Sequence, residues 1–342
     1  MRRSAKLYLT FLPTLLITMF ACRAASIAGS TVNVGSDATE DDTIKRRVYD
    51  GVSRDEEKGF TRKKPPQSGE WLFTQHERPQ PFEQYRVNTR VRPTAERRTI
   101  VLQPLGEMNA EQKRMVEDMR EYAEAFFQLP ARIEKPMELK TDAPGKDLKR
   151  PPFHSVRREG YEAQYNADVI LDSILIKKIP ADAVVYLGIT MEDLFSGDLH
   201  YVFGLGSIEQ RIGVYSLCRY FPEFWNQKRL PDAEVTALRR ACKVLNHETG
   251  HMFGMQHCVF YDCSMNGSMS LPETDAAPIH FCPVCQKKLL WNIGCDAEKR
   301  GEALRTFYAK HGLKEEAAFM ESSLVLIHKS AELEKARKVK DE

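Results

Sequence analysis

The sequence predicts an α/β domain in which a mixed, twisted sheet packs against one long helix, with a cysteine-stapled C-terminal part behind it. Three observations predict this. Runs rich in β-branched and aliphatic residues, TIVLQPL and AVVYLGI, alternate with stretches of helical periodicity as far as about residue 219. A long helical stretch, 231–254, then ends in the segment HETGHMFGMQH. Four cysteines with metal-ligand spacing, Cys258, Cys263, Cys282 and Cys285, come directly after it.

The chain has 342 residues, enough for one large domain or two smaller ones. Hydrophobic residues make up 42% and charged residues 29%, an ordinary globular balance. The net charge of +2 makes no case for nucleic acid or an acidic membrane as partner, and a monomer is expected. Arg2, Arg3 and Lys6 precede an apolar run, 7–21, too short to span a bilayer. Residues 1–28 therefore read as a secretory signal, with small residues at Ser26, Ile27 and Ala28 near a cleavage point. Two alternatives stay open: a loose lipobox that would lipidate Cys22, and a retained membrane anchor. The expected location is secreted or periplasmic. Residues 29–69 are polar and without apolar periodicity, which predicts a flexible tether. Residues 70–335 are left as the folded domain.

Trp71 to Tyr85 marks the start of the folded body. Thr99–Leu105 reads as a strand. Asn109 is placed to cap a helix running to about Leu129, with Met115, Met119, Tyr122 and Phe126 inward, and Pro130 stops it. A second strand is expected over 131–139 and a loop over 140–160. An amphipathic helix over 165–179 would turn Val169, Ile170, Ile174 and Leu175 inward. The run 183–189 predicts a central, buried strand, and 201–204 and 213–219 two more. In the long helix, Val235, Leu238, Ala241, Cys242 and Leu245 form the buried stripe. Two further helices are expected over 298–311 and 313–333.

The chemistry lies in HETGHMFGMQH. His247 and His251 are one helical turn apart and face the same way, so both imidazoles can reach one Zn²⁺. Glu248 stands beside the first, placed to reach a water. Gly254 can take a positive φ and end the helix, which lets the chain turn back and offer His257 as a third ligand. Three ligands leave a fourth position open, the arrangement of a catalytic zinc.

The pattern HExxHxxGxxH is that of the metzincins. Followed by Cys258, Cys263, Met265, Cys282 and Cys285, it resembles the archaemetzincin family, closest to the animal-type pattern. The resemblance runs from about residue 71 to 295 and takes in GITMEDLF and YVFG. It implies a metzincin-like fold, with the sheet packed on the HExxH helix, and a zinc metallopeptidase acting on peptide substrates. Short peptides trimmed from the amino end are the class it implies. It makes Met265 the Met-turn methionine and gives the four cysteines a second, structural zinc, hence two Zn²⁺ per chain. It also places one strand of 201–219 beside the cleft, to pair with extended substrate.

Read from spacing alone, the four cysteines leave two disulfides open, since a secretory route would permit them. Two functional alternatives also stand. One is a zinc-stapled binding protein with a silent cleft, against which Glu248 speaks. The other is a CxxC redox protein. His280 precedes the CxxC and reads as a loop residue. His76, His154, His200, His311 and His328 have no ligand spacing.

Overall fold

The computed structural model describes residues 57–140, 147–153, 158–207 and 210–341, with the backbone alone of 19–23 and of the end of the last helix. Its helices are α1 (Trp71–Gln75), α2 (Phe82–Asn88), α3 (Ala110–Phe127), α4 (Ala233–Met252), α5 (Leu271–Ala276), α6 (Pro283–Ile293), α7 (Ala297–Lys310) and α8 (Lys314–Asp341). Its strands are β1 (Met19–Arg23), β2 (Thr99–Leu105), β3 (Ala131–Ile133), β4 (Lys149–Arg150), β5 (Gln164–Asn166), β6 (Ala183–Thr190), β7 (Asp193–Phe195), β8 (Val202–Ser207) and β9 (Ile212–Ser216).

The described strands form one mixed sheet in the order β3-β2-β6-β9-β8-β7-β5-β4. From β3 to β9 the neighbours are parallel, and β8 then runs antiparallel to β9. β2 and β6 sit inside the sheet with both faces covered, which is why they read as continuous apolar runs rather than alternating ones. Ile100, Leu102, Val185 and Leu187 face a core shared with α3 and α4. Val101, Leu105 and Tyr186 face a second core, with Ile170, Ile174 and Leu175. α3 starts where Asn109 accepts the Gln112 N–H and the Gln112 side chain accepts the Asn109 N–H, a reciprocal capping box.

Several expectations change. The strand expected over 131–139 pairs only as Ala131–Ile133; Pro136, without an N–H, interrupts the ladder, and Met137 rejoins as a single bridge to Leu105. The helix expected over 165–179 is a helical turn Ala167–Val169, a π turn Ile170–Ile174 and a 3₁₀ turn Leu175–Lys178. The four predicted inward residues there are all buried, as is Leu171. The strands expected at 201–204 and 213–219 are β8 and β9. The short β7 and the helices α1, α2, α5 and α6 carry no clear periodic signal.

The predicted leader's basic start, its cleavage positions, residues 29–56 and His154 lie outside the described residues. Within them, β1 runs parallel to β8 along the side that β9 does not use, Met19 against Val202 and Arg23 against Ser207. Residues 57–69 do not behave as a free tether. Arg62 bridges Tyr261, Lys63 N–H donates to Phe260 O at 3.0 Å, and Phe60 packs edge-on to His280 and Phe319. The packed body therefore begins before residue 70.

Candidate active site

α4 carries the centre. From Ala241 to Met252 every residue is buried, so its second half runs through the core rather than over it. The helix stops because Gly254 takes φ +84°, with its N–H on His251 O at 2.8 Å and the Met255 N–H on Gly250 O at 3.0 Å. That reversal brings His257 back to the helix.

The three predicted histidines meet. Nε2 of His247 lies 3.0 Å from Nε2 of His251 and 3.2 Å from Nε2 of His257. Each Nδ1 is engaged elsewhere: His247 with Ser264 O at 3.0 Å, His251 with Met255 O at 2.7 Å, and His257 with Glu77 Oε1 at 2.6 Å. These acceptors place the ring proton on Nδ1 and leave three Nε2 lone pairs converging on one point. Tetrahedral zinc with Zn–N of about 2.0–2.1 Å needs N···N of roughly 3.3 Å, so the donor set fits the ion. Burial lowers His251 to about 3 and His247 well below its usual value, which keeps both imidazoles neutral and ready to ligate.

Glu248 is 1% exposed, and neither carboxylate oxygen has a hydrogen-bond partner among the described residues. Burial pushes it up to about 8. It rests against bare β8 backbone: a Cβ at Gly206 would lie 2.8 Å from Oε2, and one at Gly204 3.2 Å from Oε1. β8 is thus the strand beside the centre. Met265 is fully buried under Gly250, where any Cβ would run into its sulfur.

The four predicted cysteines also converge, buried, with sulfurs within 4.8 Å of one another. They are not bonded to each other: Cys258 Sγ is 3.5 Å from Cys282 Sγ, against about 2.05 Å for a disulfide. The Met265 and Cys282 N–H groups donate to Cys263 Sγ at 3.4 and 3.2 Å. Cys282 and Cys285 stand at the start of α6, where the helix end favours thiolate. Burial pushes the Cys258 thiol up, yet hydrogen bonds from Cys263, Cys282 and Cys285 outweigh it and pull that thiol well down. Cys263 and Cys282 are held well up, first by burial and then by Cys258. Such a cluster sheds further protons only with a cation at its centre, and its donor set suits zinc.

One loop joins the two clusters. Ser264 O orients His247, Met265 O accepts the Cys258 N–H at 2.7 Å, and the Asn266 amide donates to Cys258 O and Tyr261 O. Neither Ser264, Asn266 nor Glu77 was identified from sequence; they orient others and carry no motif of their own. His280 is not a ligand. It stacks on Phe319 at 3.7 Å, and burial lowers it to about 3. His311 lies 3.8 Å from Asp118 and 3.5 Å from Glu121, a grouping its spacing did not foretell.

Among the described residues, three cavities flank α4, one of them, about 550 Å³, lined by Arg239, Lys243 and His280. Another, of about 20 Å³, touches His247, between Lys243, Ser268 and Thr274. A third, about 530 Å³, is an open cleft lined by Tyr201, Tyr220, Trp225, Arg240 and Leu271, and includes none of the histidines.

Comparison with known proteins gives the family. Residues 113–290 match the model for Peptidase family M54. Archaemetzincin-2 of Homo sapiens is 30% identical, over 69% of this chain and 71% of that one. The archaemetzincin of Thermococcus kodakarensis is 28% identical, over 57% of this chain and 97% of its own. A crystal structure of archaemetzincin from Methanopyrus kandleri is 27% identical over 58% of this chain and 97% of that one, with a TM-score of 0.43. The chain belongs to Peptidase family M54, the archaemetzincins, and is a zinc metallopeptidase.

Proposed function

We propose that His247, His251 and His257 hold the catalytic zinc, that Cys258, Cys263, Cys282 and Cys285 hold a second, structural one, and that Glu248 is the general base. The observation that carries this reading is the convergence of three Nε2 atoms whose Nδ1 partners are all occupied. Bound there, zinc supplies Lewis acidity, polarising a scissile carbonyl and making a water acidic near neutral pH. Glu248, without a hydrogen-bond partner among the described residues, takes the proton of the attacking water and returns it to the leaving amine. Met265 supports the floor of the site through Gly250. The cysteine cluster fixes the turn that presents His257, since Cys258 is the next residue.

The substrate is a peptide. Trimming of short peptides from the amino end rests on the family likeness alone. An extended substrate would pair with the outer edge of β8, along which Met19–Arg23 lies. Removal of residues 1–28 as a secretory leader would clear that edge, and the mature chain would work outside the cytoplasm as a monomer, without nucleic acid. In the lipid-anchored variant of this reading the cut falls before Cys22, which then carries the lipid. An unpartnered carboxylate beside three ligating imidazoles has no use in a silent binding protein, which favours the enzyme.

Glu248→Gln tests the proposal. Shape and imidazoles are kept, so zinc content should hold while peptide hydrolysis falls by roughly 10²–10⁴-fold. A variant cleaving peptides at the parental rate would overturn it.

A further inference from the structure

Among the described residues, several buried polar groups near the centre lack a hydrogen-bond partner, the Glu248 carboxylate, the Tyr215 hydroxyl and the Tyr220 hydroxyl among them. An orphaned buried hydroxyl costs free energy, so its persistence calls for an explanation in ligand binding or catalysis. Tyr220 differs from Tyr215 in one respect: it lines the open cleft of about 530 Å³, and Tyr215 does not.

Its position is fixed from several sides. The ring stacks on Phe203 of β8, centroids 5.7 Å apart, and Phe203 adjoins Gly204, against which Glu248 rests. The Tyr220 carbonyl accepts Arg240 Nη1 at 2.9 Å, and Arg240 is itself clamped by Asp275 at 2.8 and 2.6 Å. The preceding Arg219 makes a buried two-point pair with Asp193, at 2.7 and 2.8 Å. Burial holds the phenol well above its usual value, and the nearby Glu248 charge adds to this. It therefore stays protonated, a neutral donor on a residue that lines the cleft and lies near enough to Glu248 to feel its charge.

We propose that Tyr220 is a further catalytic residue: its hydroxyl donates a hydrogen bond to the carbonyl oxygen of the scissile peptide as negative charge develops there. The role is preorganised electrostatic stabilisation, with no proton transferred. It rests on the peptidase reading above, and it names a residue that neither the zinc motif nor the Met265 loop contains.

The test is Tyr220→Phe in the zinc-loaded full chain, beside Tyr215→Phe and Glu248→Gln. Tyr220→Phe removes a hydroxyl that no described residue bonds, so zinc content should hold and the thermal midpoint should stay or rise. The expected result is a kcat lower by on the order of 10²-fold with KM little changed. A phosphinic peptide, which presents the tetrahedral oxygen, should bind more weakly by a similar factor. Tyr215→Phe should match the parent in both readouts. The assignment is overturned if Tyr220→Phe keeps the parental kcat and phosphinic affinity, if it instead lowers the thermal midpoint, or if both tyrosine variants fall equally, which would mean a general effect on Glu248. Glu248→Gln separates the two levels: inactive Glu248→Gln with active Tyr220→Phe removes only this inference, whereas active Glu248→Gln removes the peptidase mechanism itself.

Discussion

Glu77→Ala isolates the one orienting contact that mutation can remove. The Nδ1 atoms of His247 and His251 are held by main-chain carbonyls, which no substitution deletes. That of His257 is held by a side chain, Glu77 Oε1, at 2.6 Å. The pair is shielded, with side chains 5% and 26% exposed. Loss of such an outer partner weakens metal binding by about 10–100-fold, or roughly 1.4–2.8 kcal/mol. The lower half of that range is expected, because Trp71 packs edge-on to His257 at 5.2 Å and limits how far the freed ring can turn. Glu77→Gln keeps an acceptor oxygen and should lose less. Zinc titration against a chromophoric chelator reads the effect, and only one of two zincs should weaken, because the cysteine cluster does not contact Glu77. If both zincs bind Glu77→Ala as tightly as the parent, the role assigned to the Glu77–His257 contact is wrong.

Two other perturbations test separate parts of the structure. Gly206→Ala places a Cβ 2.8 Å from Glu248 Oε2; the carboxylate must move, and kcat measured on zinc-replete protein should fall by about 10-fold, given that a 1 Å misplacement can cost 10²-fold. His280 has a folded value of about 3 against an ordinary 6.5. The unfolded chain therefore protonates first as pH falls, so stability is complete above pH 6.5 and is lost toward pH 3, by about 2 kcal/mol at pH 5 from this group. Urea unfolding at pH 8 and pH 5 should show His280→Phe losing that much less than the parent, and equal losses would refute the assignment.

What could be read in the sequence was local and periodic. The Asn109 cap, β2, β6 and α4 were legible because each is set by neighbours in the chain: a capping box, an apolar run or a helical stripe. The convergence of His247, His251 and His257 was legible because they occupy consecutive turns of α4 and a tight reversal at Gly254. What was hidden depends on contacts made far along the chain. Glu77 meets His257 across 180 residues of sequence and looks like any acid in a polar loop. Ser264 acts through its carbonyl, which no side-chain pattern reports. The π turn at Ile170–Ile174 adds a residue to one turn, so Ile170, Leu171, Ile174 and Leu175 all point inward where an α-helix was expected. Tyr220 resembles any core aromatic in the sequence; its unpartnered hydroxyl, shared with Tyr215, and its place on the open cleft appear only in the packed structure.

Zinc content measured alongside activity tests the account most directly. Chain purified without chelator should carry about two zincs, following from one three-imidazole and one four-thiolate set. His251→Ala should carry about one and cleave no peptide. A parent with a single zinc and no free thiols at the four cysteines, or a His251→Ala protein that still hydrolyses peptides, would contradict it.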